Sequence, residues 1–358
     1  MIDARIERYY LDFKNFKEYF VRNCMVETKY ESYKVWAQWL IRNLSQTEPN
    51  YHLIPKNEII EKDVDIFQHL KEKGISHEQV VKFYSSIKER VSKLHQVYHQ
   101  VKFDFLHRPI NIRDLNQVIE YELAYHNGTH IHLYRLGRIF VKYSSIVYDQ
   151  LVRKYLGNPA YFRFYMFEMG FNYYMLEGQS FQWSVPPKAL LFLERAISVK
   201  TELFASPANV NLRDYYSLFY VDRYFGSMGN FFGSKFEQTL EGTFEVNPPF
   251  IERLFIESSQ TICKMLQKSQ QLDKDLLFIY IMPDWLDSGG YQLINQSGYL
   301  IEEIILYPND HCYYHSMKNR LITANFETHV LVIGTSKSRR RWTDQIKTRF
   351  VENFSRSY

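Results

Sequence analysis

The sequence predicts an α/β protein: a mostly parallel sheet covered by helices, preceded by an all-helical domain. Two observations carry this. Before Gly157-Asn158-Pro159, apolar residues recur three and four apart; after it, short apolar runs of strand length alternate with amphipathic stretches of helix length. A composition of 46% hydrophobic and 23% charged residues over 358 positions suits packed globular domains of that kind.

Taken in order, the elements read as follows. Trp36 and Trp39, three apart, would share one helix face. Ser76 and Gln79 have the spacing of a capping box. The face Val80, Phe83, Ile87, Val91, Leu94, Tyr98 and Val101 continues from there as a long amphipathic helix. Ile112 to Tyr125 and Tyr134 to Tyr155 show weaker helical spacing, and the aromatic run from Tyr161 to Tyr174 reads as a packed helix. Further on, Thr243 to Val246 reads as a strand stopped by Pro248-Pro249, and Ile251 to Leu266 as a helix. Leu276 to Ile281, Leu300 to Leu306 and Val330 to Ile333 are candidate strands, the first ended by Met282-Pro283 and the last by Gly334. In such sheets ligands bind at the carboxyl ends of the strands.

Composition bounds the function. A formal charge of +4 permits a polyanionic partner without requiring one. The aromatic content of 17% is mostly core, with room for some base-stacking faces. Cys24, Cys263 and Cys312 are too few and too scattered for a disulfide framework, which suits a reducing, intracellular compartment, nuclear or cytoplasmic. Neither a signal-peptide pattern nor an apolar run of membrane-spanning length is present, so a soluble chain without membrane attachment is expected.

The segment with chemical meaning is Phe244-Glu245-Val246-Asn247-Pro248-Pro249-Phe250, an apolar strand that delivers Asn-Pro-Pro-Phe onto the ligand-binding edge. An adenine N6 amine is a poor nucleophile because its lone pair is delocalised into the ring. Two acceptors facing its two hydrogens would hold the nitrogen pyramidal and aim it at a sulfonium methyl group. The side-chain oxygen of Asn247 and the backbone carbonyl of Pro248 can be those acceptors. Pro249 restricts Pro248 to extended conformations and so aims that carbonyl in advance. Phe250 offers a face on which an extruded base stacks, a contact worth roughly 1–3 kcal/mol. The plain alternative is an ordinary loop, since Asn-Pro favours turns.

Three further segments stand in a particular order around it. Glu202-Leu203-Phe204-Ala205-Ser206-Pro207-Ala208-Asn209 and Asp222-Arg223-Tyr224-Phe225-Gly226-Ser227-Met228-Gly229 precede it, and Met282-Pro283-Asp284-Trp285 follows. With Leu176-Glu177-Gly178, Gln182 and Pro186-Pro187 before them and His311-Cys312-Tyr313 after, the run resembles the catalytic region of the phosphorylated CTD-interacting factor family over roughly residues 165 to 335. That family consists of cap-specific adenosine N6-methyltransferases. The resemblance implies a Rossmann-like class I methyltransferase core, S-adenosylmethionine as donor, and the cap-adjacent 2′-O-methyladenosine of mRNA as substrate. It also implies catalytic roles for Asn247, Pro248, Pro249 and Phe250, and places Phe204, Ser206, Pro207, Asp222 and Gly226 around the cofactor. Trp285, after Met282-Pro283, either covers the substrate adenine or fills core.

The resulting organisation is a helical domain over 1–158 that holds RNA, a methyltransferase domain over 159–335, and a basic segment over 336–358. Arg339, Arg340 and Arg341 in that last segment are candidate phosphate contacts. Tyr- and Trp-containing N-terminal helices could supply the stacking faces that choose the substrate. Trp36 and Trp39 are too close to be the paired tryptophans of a WW domain, so a member of the family without that domain, and without binding to a phosphorylated polymerase tail, is expected. His126, His130 and His132 carry a His-x-His pattern but no completing carboxylate or cysteine, and no metal site is expected. Alternative functions are a DNA or internal-RNA adenine methyltransferase, which the same Asn-Pro-Pro-Phe would serve, and a catalytically inactive RNA-binding relative.

Overall fold

The computed structural model describes residues 2–24, 26, 29–45, 70–71, 73–107, 117–126, 129–176, 183–232 and 235–355. The chain forms two compact units, Met1–Ser145 with Gly157–Gln179, and Ile146–Leu156 with Ser180–Tyr358. Glu177, Gly178 and Gln182, part of the segment that leads into the family pattern, lie outside the described residues, as do Ile112 and the side chains of Tyr98 and Val101.

The first unit begins with helices α1 (Ile2–Asn23), α2 (Lys29–Ser45) and α3 (His77–His107). The capping box at the start of α3 is closed in both directions: Gln79 N–H donates to Ser76 Oγ at 3.3 Å and Ser76 N–H to Gln79 Oε1 at 3.2 Å. Val80, Phe83, Ile87, Val91 and Leu94 are buried, as their spacing requires. Trp36 and Trp39 share a face, with ring centroids 5.4 Å apart, and pack against Phe16 and Phe20. The Trp36 indole N–H donates to the carbonyl of Met175. Both tryptophans are therefore core, and the expectation that they offer stacking faces to a substrate is corrected.

The N-terminal unit is not all-helical. Residues expected to continue as helix form an antiparallel meander of β1 (Glu120–His126), β2 (Thr129–Leu136) and β3 (Ile139–Ser144). The cause is visible in β3, where Ile139, Val141 and Tyr143 are buried and the residues between them face out, a period of two instead of 3.6. His126 pairs with Thr129 across Asn127-Gly128, a dipeptide that favours hairpins. Helix character returns at α4 (Ser145–Lys154), most of which belongs to the second unit, and at α5 (Phe162–Leu176), where Tyr165, Phe167, Phe171 and Tyr173 are buried and Tyr174 is exposed. Of the three histidines, His132 is buried and bonded to the Tyr121 hydroxyl, and His130 is exposed.

The second unit contains β4 (Trp183–Ser184), α6 (Pro187–Ile197), β5 (Thr201–Glu202), β6 (Asp214–Tyr215), β7 (Gly242–Val246), α7 (Glu252–Gln271) and β8 (Leu276–Pro283). It continues with α8 (Gly289–Gln296), β9 (Leu300–Leu306), β10 (Cys312–His315), β11 (Arg320–Thr323), β12 (Thr328–Gly334) and α9 (Asp344–Phe354). Its main sheet has the order β6-β5-β7-β8-β12-β9. The first four strands are parallel, and β12 runs antiparallel between β8 and β9. The sheet is thus mixed, with one reversed strand. A small antiparallel sheet, β11-β10-β4, lies beside it.

Every residue of β8 is buried. Leu277, Ile279 and Ile281 point to the face covered by α6 and α9; Phe278, Tyr280 and Met282 point to the face covered by α7 and α8. Burial of each such side chain stabilises by roughly 1.5–3 kcal/mol, so the two helix layers are held to the sheet through this strand. Within the basic segment, α9 is a terminal helix packed on the sheet, with Phe350 and Phe354 fully buried. Cys24, Cys263 and Cys312 are all free, and no helix among the described residues is long and apolar enough to cross a membrane.

Close helix packing gives a direct test of this layer. A Cβ added at Gly290 in α8 would lie 2.7 Å from the backbone carbon of Phe255 in α7. Gly290→Ala is expected to destabilise the protein by about 1–3 kcal/mol. Urea denaturation measures this, and a change within error of zero would mean that α8 does not press on α7.

Candidate active site

Strand β5 pairs with β6 on one side and β7 on the other, so the chain reverses direction across the sheet at this point. A crevice outside the carboxyl ends of strands at such a reversal is where open α/β sheets bind ligands. Three loops leave the sheet at this edge. Residues 203–210 follow β5, Asn247-Pro248-Pro249-Phe250 follows β7, and Asp284-Trp285 follows β8. The parallel register that sets Val246 beside Tyr280 fixes the second loop against the third.

The geometry of Asn247 to Phe250 follows from its prolines. Pro249 has its carbonyl tied into a turn, accepting from Ile251 N–H at 2.6 Å just before α7 begins. The carbonyl of Pro248 and the side chain of Asn247 take no hydrogen bond among the described residues. Two acceptors therefore stand side by side at the strand end, one of them on a backbone whose torsions are restricted from behind.

Phe250 is half-buried and forms the centre of an aromatic group. Its ring lies edge-on to Trp285 at 6.3 Å, Tyr313 at 6.1 Å and Phe326 at 5.8 Å. Trp183, Tyr313 and Phe326 stack on one another, and Trp285 packs edge-on to Phe255. Tyr313 is held by a hydroxyl contact of 2.9 Å to Thr328 Oγ1, and burial raises its phenol well above the ordinary value. The structure thus brings Asn247, Pro248, Pro249, Phe250 and Trp285 together. It adds Trp183 and Phe326, which the sequence reading did not single out, and packs them on Tyr313.

The residues expected around the cofactor lie in the loops after β5 and β6, at the same edge. Phe204 packs on Phe231 and Phe232. Ser206 is buried, its amide and hydroxyl both donate to Asn209 Oδ1, and Asn209 N–H donates to Ser206 Oγ. The Pro207 carbonyl accepts from Gln150. Asp222 is fully buried, and Gly226 after it takes φ 94°, a conformation that favours glycine. A sulfonium donor fits this crevice: the residues 203–210 and 247–250 carry no cationic side chain, and the aromatic faces of Phe204 and Phe250 suit a positive centre.

Arg339, Arg340 and Arg341 are not brought to this edge. They follow β12, whose Gly334 pairs with Leu277 at the amino end of β8, and β8 is about 25 Å long at roughly 3.3 Å per residue. Arg341 is engaged there by the Ile197 carbonyl at 2.5 Å and Asp275 at 3.4 Å. The other two are exposed.

Behind the edge, Glu202 of β5 and Glu245 of β7 are paired neighbours in the sheet, and both are buried. Burial pushes the Glu202 carboxyl up to about 7, against the pull of two backbone donors, Leu212 N–H at 2.6 Å and Asn211 N–H at 2.7 Å, and of Lys154. Glu245 is pushed up by burial and by the charge of Glu202. Neighbouring carboxyls of this kind hold a shared proton more readily than two charges.

Comparison with known proteins adds the following. The family model described as the phosphorylated CTD interacting factor 1 WW domain matches residues 145–316. The chain is 33% identical over 150 residues to the mRNA (2′-O-methyladenosine-N(6)-)-methyltransferase of Mus musculus, and equally to that of Homo sapiens. Each match covers 41% of this chain and 20% of the relative, so the chain spans about a fifth of the length of these curated relatives. The expectation of a member without the WW domain is corrected by the family match. The spacing of Trp36 and Trp39 decided that expectation, whereas the model so described matches a different stretch, one that includes Trp183 and Trp285. The reasoning that set aside a phosphorylated polymerase tail falls with it.

The paired glutamates create a pH dependence. Their native affinity for a proton exceeds that of the unfolded chain, so the stability they contribute is complete below about pH 4.5 and is lost as pH rises through about 7. Between about pH 4.5 and 7 stability should fall with a slope approaching about 1.4 kcal/mol per pH unit for one proton. Glu202→Gln, which keeps both backbone contacts and cannot ionise, should flatten the slope. Thermal unfolding across this range checks it, and identical slopes in variant and parent would place the titration elsewhere.

Proposed function

We propose that the chain is an S-adenosylmethionine-dependent methyltransferase acting on the exocyclic N6 amine of adenine in RNA, with the cap-adjacent 2′-O-methyladenosine of mRNA as substrate. The observation that carries this reading is the pair of unengaged acceptors, Asn247 Oδ1 and the Pro248 carbonyl, beside the aromatic group of Phe250. The relatives named above, which carry that activity in their names, support the choice of substrate.

In this reading Asn247 and Pro248 each accept one hydrogen of the amine. That draws the nitrogen out of conjugation and turns its lone pair toward the donor. When bound, S-adenosylmethionine supplies an electrophilic methyl group on a sulfonium centre. Asn247 or Pro248 would then relay to water the proton that the methylated nitrogen gives up. No strong base is needed, since positioning and fixed dipoles supply the gain. Phe250 and Trp285 hold the base by stacking and edge contact, and the Trp183-Tyr313-Phe326 stack fixes the Phe250 ring.

Two substitutions read this directly. Asn247→Ala is expected to slow methyl transfer on the order of 100- to 1000-fold with the fold intact. Phe250→Ala should weaken substrate use strongly, while Phe250→Tyr, which keeps a stacking face, retains part of it. The assay is transfer of labelled methyl groups to capped RNA beginning with 2′-O-methyladenosine, to the same RNA uncapped, and to DNA of the same sequence. Parental turnover in folded Asn247→Ala would sink the assignment, and equal transfer to DNA would replace the capped substrate with the broader adenine class.

A further inference from the structure

Near the carboxyl end of β8, where His329 pairs with Met282, the main sheet carries a buried histidine among carboxylates. His329 is the second residue of β12 and is only 2% exposed. Its Nδ1–H donates to Glu303 Oε1 of β9 at 2.6 Å, which leaves the lone pair on Nε2. The tautomer is assigned from this bond. Glu303 is itself held, its Oε2 accepting from the Tyr291 hydroxyl at 3.2 Å. The Tyr291 ring lies edge-on to the imidazole.

Nε2 makes no hydrogen bond, although it is buried. It faces Asp284 Oδ1 at 3.4 Å and Glu327 Oε2 at 4.0 Å. One donor atom from each of the three residues lies within 4.8 Å of the others. The loops that carry the two carboxylates are tied together, Asp284 N–H donating to the Glu327 carbonyl at 3.1 Å.

We propose that His329, Asp284 and Glu327 form a binding site for one divalent transition-metal cation. Three features point to it. The first is spacing: two ligands roughly 2.1 Å from a tetrahedral ion stand about 3.4 Å apart, and the Glu327 carboxylate, which is partly exposed, closes its slightly longer gap by a small rotation. The second is the ring orientation. A carboxylate on Nδ1 that turns Nε2 toward an ion is the usual outer support of a metal-binding histidine, and Glu303 with Tyr291 supplies it. The third is charge: three carboxylates cluster about one imidazole, and a dication relieves their repulsion where a lone imidazolium would leave it only partly offset. One nitrogen and two oxygen ligands suit zinc or manganese, whereas magnesium prefers oxygen ligands and retains its waters. Asp284 is half-exposed, which gives the ion a path in and leaves coordination positions open to solvent. An ion there would fix the Asp284-Trp285 step. The observations behind the site do not rest on the proposed methyl transfer.

The test uses the full chain stripped of metal with chelator. Manganese(II) is titrated and followed by its electron paramagnetic resonance signal, because manganese avoids the free cysteines that could take zinc adventitiously. Zinc and magnesium titrations by calorimetry run in parallel. The expected result is one ion per chain and a raised melting temperature. Affinity should fall at least tenfold in Asp284→Asn, whose side chain is exposed enough to leave the fold intact, and about 10- to 100-fold in Glu303→Gln, the positioning residue. Equal manganese affinity in the parent and in an Asp284→Asn/Glu327→Gln double variant would overturn the site, as would no uptake. Magnesium binding as tightly as manganese would overturn its assignment to a transition metal.

Discussion

The parallel pairing of β7 with β8 is the constraint on which the rest of the active edge depends. β8 is buried on both faces, so its position is set by two helix layers at once, and β7 inherits that position through its ladder. Asn247 then leaves the sheet one residue after Val246, beside the point where β8 delivers Asp284 and Trp285. The Pro-Pro step adds little packing; its part is to keep the chain from relaxing into a helix before the acceptors have been presented. Rigid carboxyl-end loops on a deeply buried strand are a general way of holding polar groups unpaired and aimed. Groups in that state are of use to a ligand because they need not break a bond within the protein first.

Much of this was legible in the sequence. The runs at Thr243, Leu276, Leu300 and Val330 are short, apolar and ended by Gly or Pro, and each is a strand. Asn247 to Phe250 could be proposed from sequence because its chemistry is local: four consecutive residues carry acceptors, rigidity and an aromatic face. What failed did so for physical reasons. β1 to β3 carry Leu123 and Tyr125 on an exposed face, so their alternation is masked by apolar residues on both sides. β4, β5 and β6 have two residues each and exist only through pairing, which no local pattern reveals.

The misplaced roles share one cause. Trp36 and Trp39, conspicuous in sequence, are core; Arg339 to Arg341, read as a phosphate arm, sit at the amino edge with Arg341 tied to Asp275. Residue type announces what a side chain can do, but the register of the sheet decides whether it faces the site. Trp183 and Phe326 are the converse case, ordinary in sequence and joined to Tyr313 only by long-range packing. Glu202 and Glu245 look like the outward positions of half-exposed strands, and helices on both faces of the sheet bury them instead.

The central claim is that paired acceptors after β7 hold an exocyclic amine. The most direct measurement is the position of the transferred methyl group: product RNA is digested to nucleosides and resolved by mass spectrometry against standards methylated at N6, at ring N1 and at the ribose oxygen. The expected product is the N6-methylated nucleoside alone, since only an amine has two hydrogens for the two acceptors. A transferred methyl group on N1, or on a ribose oxygen not already methylated in the substrate, would contradict the claim, because neither atom offers hydrogens to both Asn247 and Pro248.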